Sequence, residues 1–127
     1  MKHLSPQEIL VIHARIIDAT GGAHGIRDVG LLISATERPK AVFSGKELYP
    51  SVFDKAAACF DSLARHHVFV DGNKRTAFAA SARFLFLNGY ETTVSNKEVE
   101  KFVLRAVEQR LEATVIADWL RKHSQKK

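Results

Sequence analysis

Apolar residues recur along most of this chain at three- and four-residue steps, the period of an amphipathic helix. Ile9, Ile12, His13, Ile16 and Ile17 form the first stripe. Ser5-Pro6-Gln7-Glu8 ahead of it has the form of a capping box with proline in the first turn, and Gly21-Gly22 stop the helix. Asp28 suits the N-cap of a short second helix through Leu31, Leu32 and Ala35, which Pro39 closes. Ala41 to Pro50 loses the period and predicts a small hairpin or irregular flap that must lean on the helices. From about Ser51 to His67 the helical step returns through Phe53, Ala56, Ala57, Phe60, Leu63 and Ala64, which puts His67 on the buried face of a third helix. Asp71-Gly72-Asn73 is a turn signal, and about Lys74 to Leu87 is apolar on nearly every side before an Asn88-Gly89 cap. A helix of that kind belongs in the middle of its domain.

Tyr90 to Val94 is expected to be a connector, and Ser95-Asn96-Lys97-Glu98 a second capping box ahead of Val99, Phe102, Val103 and Ala106. A break near Gln109 to Glu112 separates a last helix carrying Val115, Ile116, Trp119 and Leu120. The expected fold class is all-α: a compact bundle of about six helices around a buried central helix, with a small flap before the third. Residues 1–127 are expected to form a single domain.

Composition narrows the class of protein. An apolar share of 46% and a charged share of 26% are ordinary for a globular domain. The lone Cys59 excludes a disulfide framework and fits a reducing cytoplasm. No apolar run reaches membrane-spanning length, and Met1-Lys2-His3-Leu4-Ser5-Pro6 turns polar too quickly for a secretion signal. The net charge of +5 permits acidic or nucleic-acid partners without requiring either. Part of it sits in the tail, at Arg121, Lys122, Lys126 and Lys127, where simple solvation accounts for it.

Lys74-Arg75 changes the picture. Both cations fall in the first turn of the fourth helix, where the dipole disfavours positive charge by a few tenths of a kcal/mol each. An anion held by those side chains and by free N–H groups resolves the conflict. Asp71, just upstream, suits a divalent cation shared with phosphate oxygens, or alternatively a turn or N-cap. His67, on the other lip of the loop, suits a proton acceptor near neutral pH, against the usual role of a satisfied core histidine. Gly72 is needed where the backbone turns; Asn73 is a turn-former or an amide donor to phosphate. Phe69 is expected to anchor the loop in the core, and Arg65 and Arg83 to be surface charges.

His67-Val68-Phe69-Val70-Asp71-Gly72-Asn73-Lys74-Arg75 fits the motif His-x-Phe-x-Asp-Gly-Asn-x-Arg throughout, and on it the chain resembles the Fic/Doc family. The likeness extends from Ser5-Pro6 through Gly25-Ile26-Arg27-Asp28, Arg38-Pro39 and Leu48-Tyr49-Pro50 to Trp119-Leu120. Adenylyl-transferring members usually have glycine at the position of Lys74 and a second arginine at that of Phe78; this chain instead has the pattern of the death-on-curing (Doc) toxins. The resemblance implies transfer of the γ-phosphoryl of ATP, with Mg2+, to a hydroxyl of a translation factor, elongation factor Tu. It assigns His67 as base, Asp71 as metal ligand, and Gly72, Asn73, Lys74 and Arg75 as phosphate-binding residues. It also implies a Phd-like antitoxin whose helical tail blocks the site, and a flap beside the motif that aligns the protein substrate. AMP transfer is the alternative activity, and a basic RNA-targeting module a further one, though no RNA-binding motif is present.

Overall fold

The computed structural model describes residues 1–127. Six α-helices follow in order: α1 (Pro6–Thr20), α2 (Val29–Glu37), α3 (Val52–Arg65), α4 (Asn73–Leu87), α5 (Asn96–Glu108) and α6 (Ala113–Lys122). Their starts are chemically marked. Ser5 Oγ accepts from Glu8 N–H at 3.1 Å while Glu8 returns a bond to Ser5 N–H at 3.0 Å. Ser51 and Asp54 repeat that reciprocal box on α3. Asp28 caps α2 and Ser95 caps α5, each by one side-chain bond. Each such cap contributes about 1 kcal/mol.

The helix at the centre is α3. Ten of its 14 residues are buried, and it packs against α4, α6 and α2. This revises the expectation for α4, which turns Thr76, Ala77, Ala80, Ser81, Phe84 and Leu85 inward but leaves Lys74, Arg75, Arg83 and Phe86 in solvent. Small residues explain how close the two helices come. Ala56 and Ala57 of α3 and Ala77, Ala80 and Ser81 of α4 are completely buried. The Ser81 hydroxyl lies 3.1 Å from the Ala56 carbonyl across the seam. Arg65 is not a free surface charge: it pairs with Asp61 and reaches the Leu111 carbonyl, while Asp61 also holds Arg38 at 2.8 Å.

Short strands close the ends of the bundle. The flap is a hairpin of β1 (Val42–Phe43) and β2 (Lys46–Glu47), turned by Ser44 and Gly45, both at positive φ. It is fastened by the buried Lys55 of α3, whose ammonium meets Glu47 Oε1 at 2.9 Å and the Tyr49 carbonyl. Lys55 lies about 15 Å along α3 from its motif-side end at Arg65, by the rise of a helix. The expected connector after α4 is instead a strand, β3 (Tyr90–Thr92), paired antiparallel with β4 (Ser124–Lys126). The cationic tail is therefore ordered. Lys126 sits opposite Tyr90, the Lys127 ammonium lies 3.4 Å from the Phe86 ring centroid, and Arg121 pairs with Asp118 while covering Phe53.

The α3–α4 seam has no room for added methylenes, so Ala80→Leu is expected to lower unfolding stability by about 1–3 kcal/mol. Denaturant unfolding measures this, and an unchanged midpoint would show slack between the helices. Burial pushes the Cys59 thiol up to about 12. Native protein is accordingly expected to leave an aromatic disulfide reagent unreacted at neutral pH, and to react fully once unfolded.

Candidate functional site

The site is built on the seven residues that join α3 to α4. The incoming helix ends at Arg65, sooner than the apolar period suggests. His66 leaves the helical region and His67 takes φ +43°, so its side chain is exposed rather than part of the buried face. Contacts with the loop before α2 explain this break. Val68 C=O accepts from the N–H groups of Arg27 (2.8 Å) and Asp28 (3.1 Å), Val70 N–H donates to Gly25 C=O at 3.1 Å, and Ile26 and Phe69 form an antiparallel bridge. Arg27 Nε also donates to His67 C=O at 2.9 Å. Continuing α3 would abandon those bonds, and a non-glycine residue at positive φ is the consequence.

Phe69 anchors the loop as expected. Its ring is 1% exposed and stacks on His13 of α1 with centroids 3.8 Å apart and planes within 8°. His13 Nε2 is 2.8 Å from the Asp71 carbonyl, so this buried ring both supports Phe69 and holds the chain at Asp71. Asp71 Oδ2 accepts from Ala23 N–H at 2.8 Å, which leaves the other carboxylate oxygen free. Gly72 then takes φ +76°, and a Cβ there would come within 2.9 Å of Ile17 Cδ1. Both observations require glycine.

Asn73 takes part in the turn through its side chain. Its Oδ1 accepts from Phe69 N–H and its Nδ2 donates to Phe69 C=O, both at 2.9 Å. Its amide clamps the loop through Oδ1 and one of the two Nδ2 hydrogens, and its backbone N–H lies in the open first turn of α4. The N–H groups of Asn73, Lys74 and Arg75 precede the first closed bond of α4, from Thr76 N–H to Gly72 C=O, and take no acceptor in the chain. Lys74 and Arg75 are exposed and make no ion pair, and both line a groove between α1, α4 and α5. Cations that make no ion pair, over unpaired N–H groups, are the arrangement an anion would complete.

Asp71 is suited to magnesium only in company. No group of three His, Cys, Asp or Glu side chains gathers anywhere in the fold. A cation at Asp71 would draw one ligand from its free oxygen and the rest from phosphate and water, which is how magnesium usually binds. His13, Arg27 and the Ala23 N–H escaped the sequence reasoning. The visible signals were slight: a histidine within the α1 stripe, and a cation between Gly25 and the Asp28 cap.

These roles separate cleanly in stability. Asn73→Ala removes two loop bonds and is expected to cost about 1–3 kcal/mol; Gly72→Ala should cost about 1–2 kcal/mol through its backbone angle. Lys74→Gln and Arg75→Gln, in the absence of any polyanion, should raise stability by a few tenths of a kcal/mol each. Denaturant midpoints at low salt provide the comparison, and a loss for either cation variant would make that residue structural.

Residues 3–85 match the model of the Fic/DOC family. The chain is 53% identical over 73 residues to Toxin Doc of Mycolicibacterium smegmatis, a match covering 58% of this chain and 56% of that protein, so little more than half of that relative's length. It is 30% identical over 122 residues to Protein kinase doc of Escherichia phage P1, covering 96% of this chain and 95% of that one. The matched segment includes the motif loop, α3 before it and all but the last two residues of α4 after it, and the chain belongs to the Fic/DOC family.

Proposed function

We propose that this chain is a Doc-type toxin kinase, which moves the γ-phosphoryl group of ATP to a serine or threonine hydroxyl of a translation factor, elongation factor Tu, and so arrests translation. The observation that carries this is the pair Lys74 and Arg75, unpaired at the open N-terminus of α4, between a free carboxylate oxygen on Asp71 and an exposed His67. Support comes also from the phage relative, whose name is that of a protein kinase.

In this mechanism His67 accepts the proton as the substrate hydroxyl attacks the γ-phosphorus. The new O–P bond forms while the bond to the β-bridging oxygen breaks, and ADP leaves with that oxygen. Lys74, Arg75 and the N–H groups of Asn73, Lys74 and Arg75 hold the phosphate oxygens in line. Asp71 would hold Mg2+, which would supply neutralisation of phosphate charge. Positioning and charge neutralisation are most of what phosphoryl transfer requires. The next turn of α4 carries Phe78, packed edge-on to Trp119, where AMP transfer would draw on a second arginine. A cognate Phd-like antitoxin with a helical tail is the partner proposed to cover the site, and the cytoplasm is the proposed compartment.

Purified protein incubated with elongation factor Tu and ATP labelled at the α or γ position tests the reaction. Label is expected only from the γ position; label only from the α position would establish AMP transfer instead. His67→Ala is expected to lower turnover about a hundredfold or more with nucleotide affinity preserved. Full activity in that variant would remove His67 as the base.

A further inference from the structure

A histidine base is usually oriented by a third group that bonds its other ring nitrogen. The imidazoles that bond within this fold are those of His13, His24 and His123, and the ring of His67 is not among them. That ring is exposed, so its place follows from the backbone beneath it. The backbone in turn is held in an unfavourable conformation, at φ +43° on a residue that carries a side chain. The apolar period of α3 runs on through His67, so the helical course is the competing conformation, and it carries the ring away from the loop mouth.

One residue opposes that course at two successive peptide planes. Arg27 Nε donates to His67 C=O at 2.9 Å, and Arg27 N–H donates to Val68 C=O at 2.8 Å. Arg27 is itself tied to the scaffold through its neighbours, because Ile26 bridges to Phe69 and Asp28 caps α2. Its guanidinium makes no ion pair with any acid of the chain, and its one side-chain hydrogen bond is to the His67 carbonyl. We propose that Arg27 is a positioning residue: its Nε–H holds the His67 backbone in the left-handed region and so keeps the imidazole at the mouth of the motif loop. The inference rests on the reading of His67 as base given above and adds what sets its place. In this role Arg27 touches neither nucleotide nor hydroxyl and acts through His67 alone.

Geometry and charge can be separated at this position. Arg27→Gln keeps an N–H donor at the same number of bonds from the backbone as Nε, without the charge. Arg27→Lys keeps the charge and moves the donor one bond farther out. Arg27→Met removes both and retains the apolar stem. A positioning role therefore ranks the glutamine variant above the lysine one, and a role for the charge ranks them the other way.

The test measures steady-state transfer of label from ATP to elongation factor Tu by the whole chain. Arg27→Met is expected to lower kcat about tenfold or more, with KM for MgATP within about twofold of wild type. Arg27→Gln should recover kcat to within about threefold of wild type, and Arg27→Lys should recover less. In a His67→Ala background, Arg27→Met should change kcat by less than about twofold, because no base is left to place. Full kcat in Arg27→Met, recovery by lysine and not by glutamine, or an additive loss in the His67→Ala background would overturn the proposal. A second readout needs no transfer: the three-bond coupling between the amide and α protons of His67, which reports φ. It should move toward the helical value in Arg27→Met and keep the wild-type value in Arg27→Gln; an unchanged coupling in Arg27→Met would overturn the role whatever the transfer assay gives. Absence of transfer by wild type would overturn the reading of His67 as base for this substrate, and the coupling then decides on its own whether Arg27 sets the backbone of His67.

Discussion

The whole site depends on the burial of one ring. Phe69 is seated against His13 in the core, and the residues on either side of it are left where that anchor puts them. Upstream, the chain must leave α3 early enough for Phe69 to face inward, and His67 is carried to the surface at a positive φ. Downstream, Asn73 ties both polar groups of the Phe69 backbone with its own amide and so starts α4 at a set distance from the ring. Burying a phenylalanine is worth about 1.5–3 kcal/mol, enough to offset the strain of one residue in the left-handed region.

Around that anchor the loop is held from two sides. The segment from Ala23 to Asp28 is joined to it by one antiparallel bridge and three backbone hydrogen bonds, and supplies the Ala23 N–H that orients the Asp71 carboxylate. The α1 helix supplies His13 beneath Asp71 and Ile17 against Gly72. Loops positioned by a rigid scaffold are where chemistry is usually placed, because the scaffold and not the loop bears the cost of order. Here the scaffold is α3, buried along most of its length and cross-braced through Asp61 to Arg38 and Arg65. The first turn of α4 is the exception, with its cations and N–H groups turned to solvent and met by no partner.

The hairpin flap is held by a different contact. Lys55 fastens it to the first half of α3, so its orientation follows the scaffold. A buried lysine keeps its place only while Glu47 and the Tyr49 carbonyl satisfy it, because an uncompensated buried charge costs several kcal/mol.

Much of this was legible in the chain itself. Local signals, chiefly Ser5, Asp28, Ser51 and Ser95 as caps and Gly72 and Gly89 as turns, determined where the helices begin and end, because caps and positive φ act within a few residues. The motif spacing and the misplaced cations marked the site for the same reason. Tertiary structure alone decided the rest. Which helix is central turned on how the apolar faces share one core, so α3 took the place expected of α4. His67 came to the surface because a loop forty residues earlier competes for the Val68 carbonyl. The β3–β4 pairing needs the tail to return across thirty-odd residues, and the role of His13 needs Phe69 and Asp71 beneath and beside it. None of these partners is near in sequence, and hydrophobic period carries no record of which distant group a side chain will meet.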